Sequence, residues 1–267
     1  MSKKIIFMLM VIAYMVSCTI MAPIAPDKSA VSLPQQLIEQ TVSLVGYREP
    51  MFGIGEGKWN TYCTGVWIDP ITILTAYHCS AAAKVMSLPE DEQDDASALG
   101  NKLETVGAPI HYAVKGSFSG TLHSAALEHF NAVVVYGDAD HDLSLIQVVG
   151  KSPLHQFTYI AEKTPSIGDE IEIMGHPAGI EFTFAKGYVS AYRTGIEAGL
   201  LDIKGSFMQM NIGISGGNSG GGVFDTNGGL VGIISFSSPR ANVQGFAIHL
   251  DSIKKMLNDF KKAPFTK

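Results

Sequence analysis

Charge is scarce in this chain. Of 267 residues only 16% are Asp, Glu, Lys or Arg, against roughly a quarter in ordinary soluble domains. Basic residues are the scarcer sign, 19 against 25 acids, and the net charge of −6 excludes the positive footprint that nucleic-acid binding requires. Three cysteines are too few for a disulfide-dense small scaffold, and their odd number leaves one to be explained separately. The opening uncharged run, Ile5–Val16, falls short of the roughly 20 residues a membrane-spanning helix needs. What is plentiful is apolar surface, 46% of residues, and glycine, 28 of them. The first excludes intrinsic disorder, because burial can offset chain entropy. The second suits a fold with many tight turns, where backbone φ is positive. The length sets a prior near two domains.

Ser2-Lys3-Lys4 precedes the apolar run, the pattern of a secretory signal peptide. The run ends in Met15-Val16-Ser17-Cys18, which resembles a bacterial lipobox with methionine in place of the usual leucine. That resemblance implies a signal peptide over residues 1–18, lipidation at Cys18 and residence in the bacterial cell envelope, at the periplasm, outer membrane or cell surface. Ordinary signal cleavage nearby, giving a secreted protein, is the alternative. Taking away residues 1–18 removes two lysines and no acid, moving the net charge from −6 to −8. Residues 19–40, rich in Pro, Ala and Ser, read as a linker, and residues 41–267 as the folded domain. Membrane contact is expected only through the lipid anchor.

From Thr41 on, short apolar runs alternate with turn residues. Val42–Tyr47, Thr64–Ile68, Ile71–Ala76, Val133–Tyr136, Leu143–Val148, Glu170–Met174, Phe182–Val189, Ser206–Met210, Leu230–Phe236 and Gly245–Ile248 read as strands. Asp69-Pro70 and Asn227-Gly228 are turn chemistry between them. Near the end Ile253, Met256, Leu257 and Phe260 follow i, i+3, i+4, i+7, and Asp251 suits a helix start. Strands throughout with one terminal helix indicate an all-β barrel or sandwich. Pro89–Gly100, with its cluster of acids at 90–95, is expected to be a solvated loop, calcium binding being the alternative.

Three segments carry chemistry. Ile73-Leu74-Thr75-Ala76-Tyr77-His78-Cys79 runs a strand into a histidine. Asp140-His141-Asp142-Leu143-Ser144-Leu145-Ile146 opens a strand with an aspartate. Gly216-Gly217-Asn218-Ser219-Gly220-Gly221-Gly222 embeds a serine in glycines. The order His, Asp, Ser is one known arrangement of a nucleophile, its base and the group that orients the base. A serine hydroxyl is a weak nucleophile and needs an imidazole to take its proton. The imidazole needs a carboxylate on its other nitrogen to set its tautomer. Glycines let the amides of Gly217 and Ser219 converge on one point, where each donor to a developing oxyanion is worth about 3 kcal/mol of barrier. His78, Asp142 and Ser219 are thus the candidate catalytic residues, with Asp140 the fallback for the carboxylate. His141 should face the other side of its extended segment.

Thr75–Cys79, Asp142–Ile146 and Gly217–Gly221 resemble the three signature blocks of trypsin-like (chymotrypsin-fold) serine proteases. Within that family the chain is most similar to bacterial HtrA-type and glutamyl-endopeptidase-like members, through Phe207-Met208-Gln209, Met174-Gly175-His176-Pro177 and Gly245-Phe246-Ala247-Ile248. The resemblance implies two packed six-stranded antiparallel β-barrels with the triad in the cleft between them. It also implies a disulfide between Cys63 and Cys79, which flank a strand–turn–strand and would brace the histidine turn. A metal held by His78 and these two cysteines would have three ligands at irregular spacing, and neither metal nor cofactor is expected.

Departures from the family matter. Asn218 replaces the aspartate that pairs with a new N-terminus in activated zymogens, so no such activation is expected. A PDZ-type domain after Lys267 is not expected, nor is an oligomer. Gly213 falls where the family has the base of the primary pocket, and without a carboxylate there a preference for Lys or Arg is not expected. Ser235-Phe236-Ser237 matches the segment that pairs with substrate backbone, Ser235 standing where glutamyl endopeptidases have a histidine, and Gly245 should line the pocket. A small or medium apolar P1 side chain is the expectation. Substrates would be proteins or peptides, cut by a serine endopeptidase through an acyl-enzyme. The alternative is a binding or adhesion protein that keeps the fold with little catalysis. His111, His123, His129 and His155 lack the spacing of a metal site, and His176 reads as a loop residue.

Overall fold

The computed structural model describes residues 32–48, 58–99, 102–115, 127–150, 156–199, 203–237 and 244–262. The signal-peptide and Cys18 readings, most of the linker, His123 and His155 lie outside them. Among the described residues no helix is long and apolar enough to cross a membrane.

Twelve strands form two closed barrels. In the first, β1 (Thr41–Arg48), β2 (Lys58–Trp67), β3 (Thr72–Ala76), β4 (Pro109–Lys115), β5 (Leu127–Asp138) and β6 (Leu143–Val148) close in the order β1-β2-β3-β6-β5-β4. In the second, β7 (Glu170–Gly175), β8 (Thr183–Thr194), β9 (Ser206–Met210), β10 (Gly222–Phe224), β11 (Leu230–Ser237) and β12 (Gly245–His249) close in the order β10-β11-β12-β9-β8-β7. Every pairing between these strands is antiparallel, and each sheet closes on itself. The two-barrel all-β architecture expected from the family resemblance is the one present.

Three apolar clusters explain why many strands read as unbroken apolar runs. One fills the first barrel, with Val42, Leu44, Trp67, Ile73 and Ile146. One fills the second, with Ile171, Val189, Met210, Val231 and Ile234. The third combines Val66, Leu74, Leu143 and Leu145 from the first barrel with Phe207, Phe224, Ile233 and Phe246 from the second. Neighbouring strand residues point to opposite faces. In β3, Ile73 therefore enters its own barrel while Leu74 joins the shared layer, and both faces are buried.

Two strands escaped the sequence reading. β4 does alternate, with Ile110 and Tyr112 buried and His111 exposed, but a histidine and a leading proline blunt its signal. β10 has three residues inside a glycine run. The helical content also exceeds the expectation. α1 (Leu33–Glu39) lies within the segment read as linker, and its Leu37 is fully buried in the shared layer, so the folded body begins before Thr41. α2 (Tyr77–Met86) follows β3 without a loop. α3 (Glu90–Leu99) occupies the stretch expected to be a loop. Its Glu, Gln, Ala and Leu residues favour helix, and acids in the first turns complement the helix dipole. A short α4 (Gly195–Ala198) starts with a Thr194–Glu197 capping box. The terminal helix α5 (Leu250–Lys262) buries Ile253 and Met256, with Asp251 in its first turn and Lys261 and Lys262 in its last.

Candidate active site

Strand pairing brings the first two candidate residues together. β3 pairs with β6 so that Ala76 opposes Leu143, which puts the residues just after one strand beside those just before the other. Tyr77 N donates to Asp142 O at 3.0 Å and His78 N to Asp142 Oδ1 at 3.1 Å. The His78 Nδ1 atom lies 3.0 Å from Asp142 Oδ1 and 3.1 Å from Oδ2. Asp142 adopts a left-handed φ of 55°, a conformation aspartate tolerates better than most residues. Its side chain is only 4% exposed, while that of His78 is 42% exposed.

A carboxylate can only accept, so Nδ1 of His78 carries the proton and Nε2 keeps its lone pair. Burial pulls the His78 pKa down, but the charge of Asp142 and its hydrogen bond raise it by more, leaving it above the usual 6.5. Ser235 Oγ supplies a further donor to Asp142 Oδ2, at 2.5 Å.

The serine loop crosses to the second barrel. Gly220, at φ +83°, passes so close to β2 and β3 that a Cβ there would lie 2.1 Å from Thr64 O and from Thr75 Oγ1. The amides of Asn218, Gly220 and Gly221 donate to Ser215 O, Ile234 O and Asn218 O, at 3.1, 2.7 and 2.9 Å. Among the described residues, those of Gly217 and Ser219 donate to no protein acceptor. The Ser219 hydroxyl donates to Ser235 O at 3.0 Å, so Ser235 touches both Asp142 and Ser219. Asn218 is buried, with its side chain packed on Gly175.

Residues absent from the sequence reading of the site complete it. His176, expected in a loop, is fully buried just beyond β7. Its Nδ1 lies 2.9 Å from Thr64 Oγ1, and Thr64 Oγ1 donates to Gly217 O at 2.6 Å. Ala178 N donates to Gly216 O at 2.7 Å. The Gly-His-Pro tripeptide was visible, but no sequence pattern tells which distant loop a short turn will meet. A groove of about 290 Å³ opens beside this turn, with Val45, Thr61, Ala178 and Gly179 in its lining.

The other candidates fall as follows. Cys63 and Cys79 are joined, tying β2 to the first turn of α2. Their sulfurs and a His78 ring nitrogen lie within 4.8 Å of one another, but sulfurs bonded to each other are not thiolate ligands. Asp140, the fallback carboxylate, pairs with Lys204 at 2.8 Å in solvent, and His141 pairs with Asp138 at 2.9 Å. Gly213 is exposed. Beside it, Ile214 lies against Gly245, where a Cβ would come within 2.2 Å of the isoleucine Cγ1. Ser237 opposes Gly245 across β11 and β12. The half-buried Phe236 ring stacks on Phe246, with centroids 4.7 Å apart.

Comparison with known proteins places the chain in a family. A family model described as a trypsin-like peptidase domain matches residues 63–233. A Do-like protease of Arabidopsis thaliana is 28% identical over 155 residues, 58% of this chain and 36% of that protein. A DegP-like periplasmic serine endoprotease of Brucella suis is 30% identical over 138 residues, 49% of this chain and 26% of that protein. The chain thus spans no more than 36% of the length of either relative. Among solved structures, the Rv3671c protease of M. tuberculosis in its active form superposes with a TM-score of 0.58 at 16% identity, covering 87% of this chain and 85% of that one.

Proposed function

The chain belongs to the trypsin-like peptidase domain family, and from that premise we propose that it is an exported serine endopeptidase working through an acyl-enzyme. Ser219 is the nucleophile, His78 the general base and then acid, and Asp142 the group that orients His78. The observation that carries this reading is the amide pattern of the serine loop: the amides of Gly217 and Ser219 are left uncommitted while those of Asn218, Gly220 and Gly221 are bonded. Such preorganised donors stabilise the oxyanion of a tetrahedral intermediate.

In the reaction the Ser219 hydroxyl turns from Ser235 O toward Nε2 of His78, which takes its proton as Oγ attacks the scissile carbonyl carbon. The resulting imidazolium is stabilised by Asp142, already hydrogen-bonded at Nδ1. His78 then gives the proton to the leaving amine. Water repeats the sequence on the acyl-enzyme, with His78 again as base. The end of β11, Ser235 to Ser237, would hold substrate backbone as an added strand. Ile214 narrows the space beside Gly213 and Gly245, which supports a small apolar P1 residue. The periplasmic setting of the Brucella relative supports export. Lipidation at Cys18 is part of the same proposal, and Cys18→Ser should then shift the protein out of the membrane fraction.

The resting bond from Ser219 to Ser235 O is what a second reading, a fold-sharing binding protein with little catalysis, would use. A fluorophosphonate probe decides between them. The peptidase reading expects labelling of the native protein that Ser219→Ala abolishes; native labelling no faster than that of denatured protein would favour the binding protein.

A further inference from the structure

Gly217 has an uncommitted amide, yet both peptide planes that bracket its α-carbon are held from outside the loop. The carbonyl of the preceding plane, Gly216 O, accepts from Ala178 N at 2.7 Å. A trans peptide is flat and its N–H points opposite to its C=O. Holding Gly216 O on the 177–179 turn therefore aims Gly217 N–H the other way. The carbonyl of the following plane, Gly217 O, accepts from Thr64 Oγ1 at 2.6 Å. Gly217 itself, at φ +96°, sits so tightly on the turn that a Cβ would lie 2.2 Å from His176 O.

The Thr64 hydroxyl has one proton, and Gly217 O takes it. Toward His176 the same oxygen can then only accept, which makes His176 the tautomer protonated on Nδ1. The remaining nitrogen, Nε2, is buried with no hydrogen-bond partner among the described residues, and the ring is braced edge-on against Phe182 with centroids 4.8 Å apart. An unpartnered buried nitrogen is unfavourable, so the ring's contribution here is the bond it makes through Nδ1. Ala178 adopts a left-handed φ of 50°, a conformation most side chains avoid, and in it the Ala178 amide faces Gly216 O.

We propose that His176, Thr64 and Ala178 are positioning residues that hold the Gly217 amide aimed at the oxyanion before substrate arrives. This rests on the peptidase reading of the site. Thr64 suits a test, because its backbone amide separately holds Ser219 O at 2.8 Å and survives a side-chain change. Thr64→Val removes the hydroxyl at nearly constant shape, and His176→Leu removes the donor behind it. Thr64→Ser keeps the hydroxyl, and His176→Asn keeps an N–H donor close to the place of Nδ1.

The test uses the full-length protein, a peptide substrate, a peptide boronate that mimics the tetrahedral intermediate, and a non-covalent product peptide. Thr64→Val and His176→Leu should lower kcat by roughly 10²-fold, the size of effect seen when one oxyanion donor is lost. Boronate affinity should fall in step, while KM, product-peptide affinity and the acid limb of the pH–rate profile hold. Thr64→Ser and His176→Asn should recover most of the loss. The inference is overturned if Thr64→Val and His176→Leu keep wild-type kcat. It is equally overturned if their kcat falls only with the folded fraction, or if the conservative variants fail to recover it. If wild type itself is labelled no faster than Ser219→Ala, the peptidase reading falls and the inference with it. Normal wild-type labelling with an unaffected Thr64→Val removes the inference alone.

Discussion

The carboxylate of Asp142 accepts from the His78 amide, the His78 ring and the Ser235 hydroxyl, which keeps a nearly buried charge satisfied. Two neighbouring aspartates can be separated by experiment. Asp142→Asn removes the charge and the acceptor that raise the His78 pKa, leaving burial, which lowers it. The acid limb of the pH–rate profile should move to lower pH, and kcat should fall by about 10⁴ because an amide favours the wrong tautomer. Asp140→Asn breaks only an exposed pair with Lys204 and should leave both quantities unchanged. If the two variants behave alike, the assignment of the carboxylate to Asp142 is wrong.

At the same scale, His176 links stability to pH. Burial lowers its pKa from 6.5 to about 3, so between these values the unfolded chain holds a proton that the folded one does not. The contribution is complete above pH 6.5 and is lost as pH falls toward 3, by at most about 1.4 kcal/mol per pH unit. Urea unfolding at pH 7 and pH 5 should show wild type losing about 2 kcal/mol more than His176→Asn. Equal losses would mean that this ring does not carry the linkage.

Among elements, α2 brings together the histidine and the cross-link. It begins at Tyr77 with no side-chain cap at Ala76, and its first turn is anchored by Asp142 on one side and by the bond from Cys79 to Cys63 on the other. The cysteines are 16 residues apart, and opening a loop of that size costs about 3 kcal/mol in the chain-entropy account. The Cys63→Ala/Cys79→Ala pair should therefore lower the urea midpoint by that equivalent. Because Asp142 still holds the ring, fluorophosphonate labelling of the folded fraction should persist. Labelling lost while the protein stays folded would show that the cross-link, not the carboxylate, sets the ring.

Elements also show where sequence patterns stop. The apolar periodicity of α5 was plain because one face of it packs and the other is wet. α3 has no such stripe: among its described side chains Ala96 is the one that is buried, and propensity alone does not distinguish a helix from an acidic loop. α1 lay hidden among Pro, Ala and Ser because its burial rests on Leu37 reaching a layer contributed by both barrels.

For the whole molecule, that shared layer is decisive. Val66, Leu74, Leu143 and Leu145 of one barrel pack with Phe207, Phe224, Ile233 and Phe246 of the other, together with Leu37, Ile253 and Met256. Neither barrel can lose its fold without exposing apolar surface of its partner. Calorimetry of the folded body should therefore give one transition, with calorimetric and van't Hoff enthalpies equal. Two resolved transitions would show that the barrels fold independently.

The primary sequence was enough to determine the all-β class, most strands, the terminal helix and the three segments bearing His78, Asp142 and Ser219. Each is a local property: a period, a turn residue, a glycine run around a serine. Tertiary structure alone decided which groups meet. It put Ser235 on both Asp142 and Ser219, sent Asp140 out to Lys204, buried His176 behind Thr64, and left Gly217 and Ser219 with uncommitted amides. The physical reason is that these contacts join residues far apart in the chain. Whether a donor finds an acceptor depends on how two barrels close and pack, and no window of neighbouring residues contains that information.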